Sequence, residues 1–203
     1  MARTATLANA ALAGVSLFSL IAVAVQCLRP DLDWRQAPMS FYLSGAYGLW
    51  LQAAYFALAG ALATVGFAYY RTLASSARSG APVLLFSLAA LGLATTAVAD
   101  SNLPQRDAGL QGWVHGTAAQ AAFLFATTAM LLQAWRLRGD PDWRRRSAFA
   151  FAWAISCFAA VWLLAFWREL PRGLTQKTVI AAIVGWLALS AWWLRRPARS
   201  KPD

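Results

Sequence analysis

The chain has 203 residues, of which 60% are hydrophobic and 13% are charged, and its formal net charge is +10. In a soluble globular domain about a quarter of the residues are charged, so this composition argues against a freely soluble protein. It also excludes an intrinsically disordered chain, which lacks enough apolar residues to bury. Most of the 18 Lys and Arg residues lie between the apolar runs, so the positive charge is compatible with a membrane protein.

Six apolar runs follow one another along the chain, each long enough as a helix to cross a hydrocarbon core of about 30 Å. None contains Lys, Arg, Asp or Glu, none alternates like a strand, and all are rich in the helix formers Ala and Leu. They also lack the polar face that a soluble helical bundle needs. We therefore predict an all-α fold, a single domain over residues 1–203 forming an integral membrane bundle of six transmembrane helices, at residues 7–28, 49–70, 82–99, 113–135, 147–167 and 178–194.

The first run has an alternative interpretation as a signal peptide, since Ala22-Val23-Ala24 resembles a cleavage site. Its apolar stretch is longer than the usual h-region, and only Arg3 precedes it. These two features favour an uncleaved helix.

Small residues recur every four positions in two of the runs. The residues are Ala53, Ala57 and Ala61 in the second run, and Ala148, Ala152, Ser156 and Ala160 in the fifth. Such stripes let helix backbones approach closely in a membrane, so they predict a compact bundle.

An even number of spans places both termini on one side of the membrane, and that side carries most of the Lys and Arg residues. Because positive charge favours the cytoplasm, we predict cytoplasmic termini and a location in the cell inner (plasma) membrane. The basic loop at 135–146 and the tail beyond Leu194 then face anionic lipid headgroups. Membrane lipid is thus the expected partner, and nucleic acid is not. Asp140 and Asp142 lie among the arginines of this loop, where solvated charge balance explains them. No oligomeric state is indicated.

Familiar catalytic and metal-binding motifs are absent from the sequence. It contains one His, and it has no CxxC, HExxH, GxSxG or glycine-rich phosphate loop. We therefore predict neither a metal site nor a cofactor.

Asp100 closes the third run and His115 opens the fourth. The connection between them is short, so we expect antiparallel neighbouring helices with these side chains at similar depth. A carboxylate at a helix C-terminus and an imidazolium at an N-terminus each meet the unfavourable end of the helix dipole, and a hydrogen bond between them would relieve both. The pair is either a structural tie or a proton-handling or substrate-binding site. Gln120 lies on a face about 140° from His115 and need not share its cavity.

Glu169 is the third candidate catalytic residue. It follows the fifth run, on the same side of the predicted bundle as Asp100 and His115. It pairs either locally, with Arg168 or Arg172, or with the Asp100 and His115 group.

The first loop, residues 29–47, is long and rich in aromatic residues. We expect it to fold over the mouth of the bundle as a lid, with a short helix after Pro38. Its candidate substrate-binding residues are Asp31, Asp33, Ser40 and Tyr42.

Several short motifs together carry a family resemblance: Ser40-Phe41-Tyr42 with Gly45 and Gly48, Asp100, His115, and Gly173-Leu174-Thr175-Gln176-Lys177. With these motifs, the whole chain resembles the domain-of-unknown-function 998 family of small prokaryotic membrane proteins. The resemblance implies a six-helix bundle and no particular activity. That family is distantly similar to the DRAM- and Sfk-type membrane proteins, some of which are linked to lipid handling, so it makes lipid the first ligand class to consider.

Three functions remain open. In the first, an outward-facing pocket with Asp100, His115 and Glu169 binds or processes a lipid or small amphiphile. If the protein is an enzyme, Asp100 orients His115 as a general base, and Ser40 is a candidate nucleophile. The second is a small-molecule transporter or channel, which needs a polar path through the bilayer and is disfavoured by the largely apolar inner halves of the helices. The lack of charged residues at mid-membrane further disfavours an ion-coupled transporter. The third is a non-catalytic assembly partner, in which the pair is only structural.

Overall fold

The computed structural model describes residues 2–101, 103, 108–167 and 169–195. Arg168 and the tail after Arg195 therefore lie outside the described residues. Within them the chain forms six α-helices and a short 3-10 helix, Met39–Leu43, and no strand. The α-helices are α1 (Ala2–Leu28), α2 (Gly48–Thr72), α3 (Gly80–Val98), α4 (Gly109–Leu137), α5 (Arg144–Phe166) and α6 (Arg172–Leu194). All six are long and apolar enough to cross a membrane, which confirms the predicted all-α fold with six transmembrane helices.

Several helices extend beyond the apolar runs. Both ends of α4 lie outside its run, at Gly109 and Leu137, and α6 begins at Arg172, well before the run at 178–194. Arg, Lys and Gln are themselves good helix formers, so charge ends an apolar run without ending a helix.

Small residues set the spacing between neighbouring helices. A Cβ atom added to Gly14 of α1 would lie 2.6 Å from the carbonyl oxygen of Ala57 in α2. One added to Gly92 of α3 would lie 2.9 Å from the carbonyl oxygen of Ala118 in α4. These backbone approaches leave no room for a side chain. The first of them confirms the close packing predicted at Ala57 and Ala61, whereas Ala53 of the same stripe is exposed.

The corresponding stripe of α5 behaves differently. Ala148, Ala152 and Ser156 are exposed, and only Ala160 of this stripe packs against the core of the described chain. The helix instead buries Ala150, Ala154 and Cys157, because spacing alone does not determine which face of a helix meets its neighbours.

The two ends of the bundle differ in character. We call the end that carries residues 29–47 the first-loop end, and the end with the connections 73–79 and 138–143 the basic end. The first loop contains the 3-10 helix directly after Pro38, which confirms the short helix expected there.

Asp140 organises the basic end. Its side chain is 5% exposed. Its carboxylate accepts the backbone N–H groups of Ala74 and Asp142, each at 2.9 Å. The interpretation of Asp140 as solvated charge balance is therefore wrong, because the carboxylate ties the 73–79 connection to the α4–α5 connection.

Candidate functional site

The start of α6 holds the first loop in place. Three hydrogen bonds join the two segments: Leu174 N–H to the Arg35 carbonyl (2.9 Å), Met39 N–H to Gln176 Oε1 (2.8 Å) and Lys177 Nζ to the Trp34 carbonyl (2.6 Å). A Cβ atom on Gly173 would lie 2.5 Å from the Ala37 carbonyl oxygen. The Gly173–Lys177 motif therefore serves as the docking platform of the loop.

Arg29 closes the base of the first loop. Its Nη1 donates to the Ser44 carbonyl oxygen at 2.8 Å, and its Nε and Nη2 donate to the Asp31 carboxylate at 2.8 and 2.7 Å. The guanidinium lowers the pKa of the Asp31 carboxyl, and the same hydrogen bonds raise the pKa of Arg29. Asp33 is also engaged within the loop, because its Oδ1 accepts the N–H of Arg35 at 2.9 Å.

Tyr42 lies beneath the loop with a fully buried side chain. No hydrogen-bond partner for its hydroxyl exists among the described residues, and Lys177 Nζ lies 5.0 Å from the centroid of its ring. Burial raises the pKa of the Tyr42 hydroxyl.

Tyr42→Phe is expected to leave thermal stability unchanged or slightly increased. A buried hydroxyl without a partner carries a desolvation cost that phenylalanine does not, and the ring contact with Lys177 survives. Tyr42→Ala, by contrast, should cost about 3–5 kcal/mol through the cavity it leaves. Thermal unfolding in detergent compares the two variants. A large loss in Tyr42→Phe would show that the hydroxyl has a bonding role.

A cleft of about 600 Å³ opens at the first-loop end, bounded by the first loop, α4, α5 and α6. Its polar side chains come from all these elements except α5, and they are Gln36, Ser40, His115, Gln120, Arg172 and Gln176. Apolar residues complete the wall, among them Phe123 and Trp162. The cleft thus combines one cation, one imidazole and several neutral hydrogen-bonding groups.

His115 is 6% exposed, and its Nδ1 lies 2.9 Å from the Ala99 carbonyl oxygen. Because a carbonyl only accepts, Nδ1 carries the proton, and in the neutral ring Nε2 keeps its lone pair. The ring therefore bonds the Ala99 backbone carbonyl instead of the Asp100 carboxylate, which was the partner expected from the sequence. The reason is that α3 ends at Val98 and the extended Ala99 turns its own carbonyl to the ring. Asp100 donates its backbone N–H to Gln111 Oε1 at 3.2 Å.

Glu169 occupies a different place. It lines a surface depression on α5 with Leu163, Phe166 and Trp167. This depression shares Trp162 with the cleft and includes no other candidate residue. Of the candidates, only Ser40 and His115 line the cleft. The structure thus brings these two together and leaves the others outside: Asp31, Asp33, Tyr42, Asp100 and Glu169.

The sequence analysis does not identify four polar residues of the cleft: Gln36, Gln120, Arg172 and Gln176. Gln120 lies more than one turn deeper than His115, but the cleft is wide enough to include both. Gln176 belongs to the motif that carries the family resemblance, so that motif was the available signal. The sequence predicts Arg172 only as a partner of Glu169, because nothing in its spacing points towards His115.

A second cavity of about 80 Å³ lies inside the bundle, below the cleft. Its walls are mainly apolar side chains from α1, α2, α3, α4 and α6, including Phe18, Leu58, Leu62, Leu93, Ile180 and Ile183. Ser40, Ala119, Phe123 and Gln176 line both spaces. The polar cleft therefore borders directly on an apolar interior.

Within the described part of the chain, no group of three His, Cys, Asp or Glu residues lies close enough to hold a metal ion. Among the described residues of the cleft wall, Arg172 is the cation, and the glutamines, Ser40 and His115 are the hydrogen-bonding groups.

No curated protein and no solved structure matches the chain. A family model described as "Protein of unknown function (DUF998)" matches residues 12–193. That match covers nearly the whole six-helix bundle and includes the first loop, His115 and the Gly173–Lys177 motif. The chain is a multi-pass helical membrane protein and belongs to this family of unknown function, DUF998.

Proposed function

We propose that this protein binds a lipid or small amphiphile at the first-loop end, with the polar head in the cleft and the chain directed into the apolar cavity. The observation that carries the proposal is that the two spaces adjoin, since Ser40, Ala119, Phe123 and Gln176 line both of them. A polar cleft that adjoins an apolar cavity matches the two-part chemistry of an amphiphile. In this proposal the protein resides in the inner membrane with cytoplasmic termini, because the basic end carries the arginine-rich loop.

The cleft favours an anionic head. Arg172 is the cation on its wall, and no described residue forms an ion pair with it. The other described cations of this end do not line the cleft. Arg29 is paired with Asp31, and Lys177 donates to the Trp34 carbonyl. A guanidinium presents paired donors that suit a phosphate or carboxylate, and Gln120 and Gln176 supply neutral donors beside it.

The inner cavity favours a hydrocarbon chain. A volume of about 80 Å³ admits several methylene-sized groups, and burying each methylene contributes about 0.8 kcal/mol. The cavity also adjoins α4 and α6 near mid-bundle, at Ala126 and Val184, so a chain entering from the cleft would run along the bundle axis.

A binding experiment with two probes of the same acyl chain tests this proposal. Protein on scintillation-proximity beads, in maltoside micelles, is titrated with labelled oleoyl lysophosphatidic acid, which is anionic, or with labelled monoolein, which is neutral. Arg172→Gln is expected to weaken binding of the anionic probe about tenfold, since it removes a charge-assisted hydrogen bond, and to leave monoolein binding unchanged. Ala122→Phe fills the inner cavity and is expected to weaken both at least tenfold.

Matched controls are available on the same chain. Arg35→Gln removes a charge at the same end, from an exposed residue that does not line the cleft, and Ala152→Phe adds the same ring on the exposed face of α5. Equal effects of Arg172→Gln and Arg35→Gln would contradict the head site. Unchanged binding in a folded Ala122→Phe variant would contradict the chain site.

Catalysis is the second candidate function, and the observation that favours it is the orientation of His115. With Nδ1 held by Ala99, Nε2 is available as a general base on the cleft wall. Asp100 and Glu169 then act outside the cleft, as helix-end groups. The same incubations, assayed for fatty acid released by water from the acyl ester, test this role. Turnover lost in His115→Asn with unchanged probe affinity supports it, and a wild-type protein without turnover contradicts it.

A further inference from the structure

We propose a second binding site, at the basic end, for the phosphate group of an anionic ligand. The site is a pocket of about 440 Å³ between the 73–79 connection, the end of α4 and the start of α5. Three arginines line it, Arg136, Arg138 and Arg144, together with Ser76 and Trp135. It lies at the opposite end of the bundle from the cleft and does not depend on the function proposed there.

Two of the arginines are held in place by the protein. Arg136 donates through Nε to the Ala77 carbonyl oxygen at 2.8 Å and through Nη2 to the Arg78 carbonyl oxygen at 3.0 Å. The Arg138 guanidinium lies 4.2 Å from the ring centroid of Trp135, as in a cation–π contact. Guanidiniums fixed in this way lose little further freedom when they bind an anion, which favours binding.

No described carboxylate forms an ion pair with these arginines. Asp140, which follows Arg138 by two positions, uses its carboxylate to accept the Ala74 and Asp142 N–H groups. No described acidic residue forms an ion pair with any of the three arginines, and none lines the pocket. Three cations around one cavity repel each other, so an anion is the ligand that their arrangement favours.

The depth of the pocket favours a lipid as the source of the phosphate. Trp135 is 52% exposed and lies in the last turn of α4, while Arg144 begins α5. In a spanning helix these positions are at the level of the lipid headgroups, where tryptophan is enriched. Basic pockets between helices at this level suit anionic phospholipid heads. A soluble phosphate shares the same chemistry, and the two sources are separated below.

Native mass spectrometry of the full-length protein, released from micelles of a neutral detergent, measures the binding. The probes are phosphatidylglycerol, phosphatidylcholine and inorganic phosphate. The test variant is the double substitution Arg138→Gln and Arg144→Gln, which leaves the structural Arg136 intact. We expect it to weaken phosphatidylglycerol binding roughly 30-fold, because each basic residue near an anionic lipid contributes about fivefold.

The control is Arg71→Gln with Arg195→Gln, which removes two charges from the same end. Both residues are exposed and neither lines the pocket. A loss of phosphatidylglycerol binding in the test variant but not in the control supports a lipid site. If inorganic phosphate binds with the same affinity as phosphatidylglycerol, the site is assigned to a soluble phosphate. Equal losses in both double variants, or equal affinity for phosphatidylcholine, would overturn the proposal.

Discussion

Gly173→Ala is expected to destabilise the protein by about 3 kcal/mol and to release the first loop from α6. The added Cβ would meet the Ala37 backbone at 2.5 Å from its oxygen and 2.9 Å from its nitrogen. Backbone cannot rotate away as a side chain does, so either the loop or the helix must move. Overpacking of this kind costs about 1–3 kcal/mol, and the Leu174 and Met39 hydrogen bonds, worth about 1 kcal/mol each, weaken with it.

Two measurements report on this substitution. Thermal unfolding in detergent gives the stability, and limited trypsin digestion gives the accessibility of the first loop, since Arg35 is exposed there. Gly60→Ala is the matched control, because a Cβ at that helical position meets no atom within 4 Å. It should be neutral or stabilising by up to about 1 kcal/mol. A Gly173→Ala protein as stable and as protease-resistant as the wild type would refute the docking role of this glycine.

Asp140→Asn is expected to destabilise the basic end by about 2–4 kcal/mol. Both carboxylate oxygens of Asp140 accept backbone N–H groups. Asparagine retains one acceptor and turns an NH₂ group towards the other donor, which leaves a backbone N–H unpaired in a buried position. Hydrogen bonds to a charged group are worth about 1.5–3 kcal/mol, and a buried unsatisfied donor adds its own desolvation cost.

Chemical denaturation monitored by circular dichroism measures this loss. Asp142→Asn serves as the control, since its side chain is exposed and the substitution leaves its backbone N–H available to Asp140. Its only expected effect is a weaker charge–dipole interaction near the start of α5, at most about 1 kcal/mol. If the two substitutions lower the free energy of unfolding equally, the buried carboxylate of Asp140 does not stabilise the basic end.

The binding predictions concern function more than stability. Arg172→Gln tests recognition of a head at the first-loop end, and the Arg138 and Arg144 substitutions test recognition of phosphate at the basic end. Because the two sites lie at opposite ends of the helices, either can fail without the other.

The sequence by itself determined the class of the protein. Six charge-free apolar runs separated by polar segments have one stable solution in a bilayer, because each backbone polar group must be satisfied within its own helix. The short helix after Pro38 followed from equally local information. The close approach of α1 to α2 at Ala57 also followed from the local sequence, because a small residue lets a neighbouring helix backbone come near on that face.

Only the tertiary structure decided which polar residues share a space. Lys177 and Trp34 are 143 positions apart, yet they are joined by a hydrogen bond, and no local pattern specifies such a pairing. The position of His115 was predictable, but its partner was not, because the end of α3 determines whether the Ala99 carbonyl or the Asp100 side chain meets the ring. Asp140 illustrates the same point, since an acidic residue among arginines has the same sequence signature whether solvated or buried. Local periodicity determines helices, whereas burial and site geometry depend on how those helices pack.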